Sequence, residues 1–244
     1  MKRFLILQLR PETEASDEEF RSILNKCGLP EERTHRIRVD QQDIQADLDV
    51  TAYAGVIVGG GPGCVSDRPE DKSPLDARIE GQILALMPQI TAADHPFMGC
   101  CYGLGILAHH LGGEVSKARF GEPVGPSLCT MTPEGEDDPL LRGLPAEFEA
   151  FVGHKEAVQD LPTDTVHLVG SAPCPFQMIR YRSNVYATQF HPEADANDFE
   201  RRIQIYRGYG YFPPEDADRL IAACHAARVS VPGEILRRFA VRYG

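Results

Sequence analysis

The 244-residue sequence has no apolar run approaching the length of a membrane-crossing helix, which takes about 18 residues or more. Its N-terminus gives no secretory leader either. The apolar stretch after Met1-Lys2-Arg3 is only Phe4-Leu5-Ile6-Leu7 and stops at Gln8, without the longer apolar region and small-residue cleavage site a leader needs. A cytoplasmic location is expected. There is no Cys-x-x-Cys pair and no His-Glu-x-x-His, so the common zinc spacings are missing. There is also no compact basic block. The formal net charge is −11, and an acidic surface repels phosphate backbones, which excludes nucleic acid as a partner. The Arg201–Arg202 and Arg237–Arg238 pairs read as solvated helix faces rather than binding patches. No repeat, low-complexity tract or linker interrupts the chain, and 42% hydrophobic residues suffice for one sizeable core.

Cysteine is present but unpatterned. Seven residues (Cys27, Cys64, Cys100, Cys101, Cys129, Cys174 and Cys224) are an odd number without repeated spacing, which argues against a disulfide framework. A disulfide between the adjacent Cys100 and Cys101 would be strained. These thiols read as reduced core residues, with one exception.

The periodicities alternate between strand and helix. Phe4–Leu9 and Tyr53–Val58 are buried-strand runs, and Thr34–Val39 alternates as a half-buried strand. Thr13–Cys27 and Leu75–Met87 carry apolar residues at helical spacing, the first stopped by Gly28. His95–Met98 predicts a short strand running into Gly99-Cys100-Cys101-Tyr102-Gly103, and Leu104–Leu111 a helix closed by Gly112-Gly113. Such alternation predicts an α/β fold with a mostly parallel central sheet and helices on both faces. The second half changes character. Pro123–Thr132, Phe148–Val152, Val166–Ser171, Phe176–Arg182 and Val185–Phe190 predict antiparallel strands added on one side. Phe199–Tyr206, Ala217–Ala227 and Pro232–Arg242 predict helices. One compact domain is therefore expected, with residues 196–244 a helical extension packed on residues 1–195. The aromatic segment Gly208–Pro214 reads as a packed connection, with a partner surface as the alternative.

Gly99–Gly103 sits between a strand and a helix, the setting of a nucleophile elbow. The tight turn lifts its central side chain clear of the sheet, and the following helix N-terminus favours a thiolate. Only Cys101 has glycine at both −2 and +2; Cys100 would have Met98 and Tyr102 there. The Tyr102 N–H would point at the reacting carbonyl. A thiol nucleophile needs a base, and a histidine base needs an orienting partner. Most of the eight histidines have bland readings: His109 and His110 fall inside a helix, and His95 and His225 in turns or at the surface. His191 instead follows a predicted strand whose carboxyl end can face the Cys101 crevice, and Glu193 lies two positions on.

Gly99–Gly103 and Tyr186-Ala-Thr-Gln-Phe-His-Pro-Glu193 together resemble the class I, or triad, glutamine amidotransferases, most nearly stand-alone domains similar to the amidotransferase part of GMP synthase. Val58-Gly-Gly-Gly-Pro-Gly63 resembles the oxyanion strand of that family, and Val152-Gly-His-Lys-Glu-Ala-Val158 its Ser-His-x-x-x-Val stretch. The resemblance covers roughly residues 1–195. It implies a flavodoxin-like fold and a triad of Cys101, His191 and Glu193. Gly61 and Tyr102 would supply the oxyanion donors, and Gly60, Gly105, His154 and Gln189 the substrate pocket. The implied reaction hydrolyses the side-chain amide of glutamine through a γ-glutamyl thioester, without metal or organic cofactor, and delivers ammonia to an unidentified synthase partner. The glycine loop is not a phosphate cradle, because no Gly-Lys-Ser/Thr follows and Pro62, Pro69 and Pro74 intervene before the next helix.

Two positions depart from the family pattern. Gly105 stands where the family has the glutamine of Cys-x-Gly-x-Gln, and Gly153 where it has the serine of the Ser-His stretch. A glycine at 105 leaves room for a bulkier γ-glutamyl ligand or for another side chain to take the role. A γ-glutamyl peptidase acting on small γ-glutamyl compounds is thus the alternative enzyme reading. A catalytically silent binding module is the third, and the intact triad residues count against it.

Overall fold

In the computed structural model, which describes residues 1–244, the chain begins with β1 (Phe4–Gln8), α1 (Thr13–Cys27), β2 (Thr34–Arg38) and β3 (Gly55–Val58). It continues through α2 (Pro74–Ala92), β4 (Phe97–Cys100), α3 (Tyr102–His110), β5 (Glu114–Ser116), β6 (Glu122–Met131) and the short α4 (Pro133–Asp137). Then come β7 (Glu147–His154), β8 (Ala157–Asp160), β9 (Thr165–Ser171), β10 (Met178–Tyr181) and β11 (Val185–Thr188). Three helices finish the chain: α5 (Ala196–Ile205), α6 (Ala217–Ala226) and α7 (Val231–Tyr243). Nine strands form one sheet in the order β2-β1-β3-β4-β11-β10-β9-β6-β7, and β5 and β8 form a separate ribbon. The first five in that order run parallel, and the other four extend the sheet antiparallel from one edge. This is the α/β architecture expected from the sequence.

The alternation along β1 explains the layering, since successive side chains leave a strand on opposite faces. Phe4 and Ile6 join a core with Phe20 and Ile23 of α1 and Ile235, Leu236 and Phe239 of α7. Leu5 and Leu7 join another with Ile79 and Ile83 of α2 and Leu104 and Leu107 of α3. A third cluster packs Phe199 and Ile203 of α5 and Leu220 of α6 against Phe151 of β7. Phe239 is fully buried, with its ring centroid 6.2 Å from that of Phe4. Phe239→Ala is expected to cost about 3–5 kcal/mol, from lost transfer energy plus the cavity left behind. Urea denaturation would read this as a lower midpoint at unchanged slope.

The helix predicted over Leu75–Met87 runs on through Pro88 to Ala92. Proline removes one intrahelical bond, but Met87 and Ile90 on either side of it are buried, and their packing carries the helix past the break. The strand ending at His191's approach also closes early. β11 stops at Thr188, and the chain then crosses toward β7, where the His191 N–H donates to the Phe151 carbonyl at 2.9 Å. The ribbon strands β5 and β8 were not expected. At three and four residues they are too short to display a period.

Candidate active site

β4 and β11 are parallel neighbours at the centre of the sheet, and each delivers its next residues to the same carboxyl-end crevice. Cys101 caps α3 with φ 52° and ψ −97°, a conformation that a side chain rarely adopts. Such strain persists only where the surroundings over-determine it. Here the Cys101 N–H is held at 2.7 Å by the Thr188 carbonyl. A Cβ on Gly99 would fall 2.8 Å from the Gly103 carbonyl oxygen, so the turn closes only around glycine. Cys100, by contrast, points into the core and is fully buried.

Behind Cys101 lies a relay of buried groups. His191 Nδ1 is 2.8 Å from Glu193 Oε1, with His191 4% exposed and Glu193 wholly buried. A third residue joins them: Arg202 of α5 places Nη2 2.9 Å from the same carboxylate oxygen. Burial alone would raise the Glu193 pKa, but His191 and Arg202 outweigh it and hold the carboxyl below its ordinary range. The His191 imidazole shifts the other way. Burial lowers its pKa, yet Glu193 and Cys101 together raise it above the usual value. For the Cys101 thiol, burial pushes upward and is overcome by His191 first, then His154 and Arg10, leaving the thiol below an ordinary cysteine. Alkylation of Cys101 should therefore inflect at lower pH than that of a free cysteine. His191→Ala should move the inflection upward, because burial then acts with less opposition; stopped-time iodoacetamide labelling reads both.

The loop after β3 packs against this relay. The Gly60 N–H donates to Glu19 Oε1 at 3.2 Å, and Glu19, fully buried on α1, also pairs with Arg10 Nε at 3.1 Å. A Cβ on Gly60 would lie 2.7 Å from His191 Cε1 and 2.8 Å from Arg10 Nη2, so glycine here lets the loop press against the imidazole. The N–H groups of Gly61 and Tyr102 are not used in any backbone hydrogen bond. The Tyr102 hydroxyl donates to Glu80 Oε2 at 2.8 Å, fixing the ring beneath Gly61 and Gly63.

Of the residues singled out in the sequence, Gly61, Cys101, Tyr102, Gly105, His154 and Gln189 line one pocket. Gln189 Nε2 approaches Cys101 Sγ at 3.8 Å. Gly60 lines neither this pocket nor its neighbour; it braces the loop instead. The space opened by Gly105 is not free for a larger ligand. Glu156 fills it, with Oε1 3.0 Å from where a Cβ would stand, and its carboxylate accepts from the Val65 and Ser66 N–H groups at 3.0 and 2.9 Å. His154 is held between the Glu156 carbonyl and Glu122 Oε2, both at 2.9 Å. Glu122, His154 and Cys174 lie close enough together to suggest a metal site. Both His154 nitrogens are already hydrogen-bonded, and Glu122 also accepts from Ser127 and Gln177, so the cluster works as a polar network.

Sequence reading missed Arg10, Glu19, Glu156 and Arg202. The solvated face expected of the Arg201–Arg202 pair holds for Arg201 only; Arg202 is 5% exposed, turned inward to the Glu193 carboxylate. Glu156 had a local signal, lying two residues beyond His154 in the motif. The other three had none.

The sequence model of the family Glutamine amidotransferase class-I matches residues 21–205. The chain belongs to the class I glutamine amidotransferase family. It is 37% identical over 109 residues to the glutamine-hydrolysing GMP synthase of Thermosipho melanesiensis, covering 44% of this chain and 20% of that one. Against the enzyme of the same name from Thermosipho africanus it is 32% identical over 151 residues, covering 62% and 26% respectively. The chain thus spans about a quarter or less of these relatives. Among solved structures, a glutamine amidotransferase from Thermotoga maritima superposes with a TM-score of 0.78 at 20% identity, covering 100% of this chain and 98% of the other. One from Methylobacillus flagellatus gives 0.70 at 19%, covering 100% and 94%. These two share the fold. No helix here is long and apolar enough to cross a membrane.

Proposed function

We propose that this protein hydrolyses the side-chain amide of glutamine or a related γ-glutamyl amide through a Cys101 thioester. The observation that carries the reading is Cys101 at a strained strand–helix turn, in one crevice with the buried, hydrogen-bonded His191–Glu193 pair. The Cys101 thiolate attacks the amide carbon, and the Gly61 and Tyr102 N–H groups receive the oxyanion. Each such donor contributes about 2.7–4 kcal/mol. His191 hands its proton to the departing nitrogen, then activates the water that releases glutamate. Glu193 keeps the imidazole in the right tautomer. Glu156, His154 and Gln189 bound the pocket that would take the γ-glutamyl part. The Thermosipho relatives are named glutamine-hydrolysing GMP synthases, and by that likeness the ammonia released here would pass to the active site of a synthase.

Purified protein assayed with glutamine and a panel of γ-glutamyl amides, alongside labelling by a glutamine-like electrophile, tests this. Turnover together with labelling at Cys101 is expected. No turnover and no label would sink the reading. Glutaminase activity that rises only on adding cell extract would identify a missing activating partner.

A further inference from the structure

Cys101 stands between two pockets, and only one is accounted for by the γ-glutamyl half of a substrate. Gln189, Gly105 and Glu156 line the first and not the second; His191 and Arg202 line the second and not the first. Because the histidine donates its proton to the departing nitrogen, a leaving group exits on the histidine side. The second pocket holds about 60 Å³ of space for the centres of water-sized molecules, several times the roughly 10–15 Å³ that a single water-sized molecule such as ammonia needs. Its walls are apolar and aromatic: Val124, Phe199, Tyr206, Tyr211 and Phe212. Tyr211 and Phe212 come from the Gly208–Pro214 segment, and the Tyr211 hydroxyl donates to the Pro62 carbonyl at 3.3 Å, fastening that segment over the oxyanion loop.

Two arginines line the pocket, and Arg202 is paired with Glu193. Arg10 is 94% buried by its 6% exposure and lines the cavity. Its Nε is committed to Glu19 and its Nη1 to the Tyr206 hydroxyl at 3.3 Å, but its Nη2 makes no hydrogen bond within the protein. An arginine with an unused N–H group, lining a cavity otherwise walled mostly by apolar and aromatic side chains, suits a carboxylate attached to an apolar body.

We infer that the second pocket receives the amine half of an N-substituted γ-glutamyl amide, specifically an apolar amino acid whose α-carboxylate meets Arg10. This rests on the thioester reading above and names its substrate class as γ-glutamyl amino acids. The balance is that of amide hydrolysis. Cys101 Sγ forms a bond to the carbonyl carbon of the γ-amide, that carbon's bond to nitrogen breaks, and the His191 proton completes the amino group of the released amino acid. Water then cleaves the thioester to glutamate and the free thiol.

The test compares kcat/KM for γ-glutamyl-leucine, γ-glutamyl-isopentylamide, which lacks only the carboxylate, and glutamine. γ-Glutamyl-leucine is expected to exceed both by about ten- to a hundred-fold, the worth of a charge-assisted hydrogen bond. Arg10→Met should collapse the preference for γ-glutamyl-leucine over the isopentylamide toward unity. Phe212→Ala, on the half-buried connecting segment, should lower both substituted substrates relative to glutamine. Hydrolysis of glutamine but of neither substituted amide would overturn the pocket assignment and leave the thioester reading intact. Equal rates on the two substituted amides would overturn the Arg10 contact. Silence on all three, with Cys101 unlabelled, would remove both readings together.

Discussion

Cys101→Ala is expected to lower kcat on every γ-glutamyl amide by about a million-fold, the scale set by removing a nucleophile from a cooperating triad. The fold should survive it. Alanine keeps the Cβ and therefore the same backbone preference at φ 52°, and the side chain loses only its sulfur. The melting temperature should move by no more than a few degrees, so lost activity cannot be laid to unfolding. The neighbour provides the contrast. Cys100 is fully buried in the sheet, where burial raises its thiol well above the ordinary range. Cys100→Ala should leave turnover and Cys101 labelling in place. Loss of activity in both variants alike would mean that the elbow is being disturbed rather than its nucleophile removed.

The glycine spacing puts Cys101 at the strained turn and Cys100 in the core, as the structure has them, because an elbow is a local object. Gly99 and Gly103 approach each other across five residues, and that constraint is written in consecutive letters. The alternation of Phe4 and Ile6 against Leu5 and Leu7 is equally local, as is the helical spacing that gave Thr13–Cys27 its correct bounds. What escaped was assembled from afar. Glu19 reaches Gly60 across 41 residues, and Arg202 reaches His191 across 11 through a turn and a helix whose register is set by burying Phe199 and Ile203. A charged residue on an amphipathic helix reads as solvated until the neighbouring buried carboxylate is known. Gly105 is the instructive intermediate. Its departure from the family pattern was visible, and two ways of filling the space followed from it; only the fold could show that Glu156, 51 positions later in number, fills it.

Replacing the Glu193 carboxylate separates the orienting role proposed for it from its contribution to stability. Glu193→Gln is expected to lower kcat by about ten-thousand-fold, since an amide neither stabilises the imidazolium nor enforces the tautomer. It also leaves the Arg202 guanidinium, 5% exposed, without its counter-charge, and breaking a buried pair this way costs about 3–5 kcal/mol. The pH dependence identifies the source. The folded-state pKa of Glu193 lies below its unfolded value, so its contribution is present above the unfolded pKa and fades as the pH falls through the folded one. The wild type should lose that increment on acidification, and the variant should have none of it to lose. Adding Arg202→Met to Glu193→Gln removes the stranded cation and should return most of the lost stability. It should not return kcat. Recovery of both would mean that Glu193 acts on catalysis only by holding Arg202, whereas recovery of stability alone assigns the carboxylate to the imidazole.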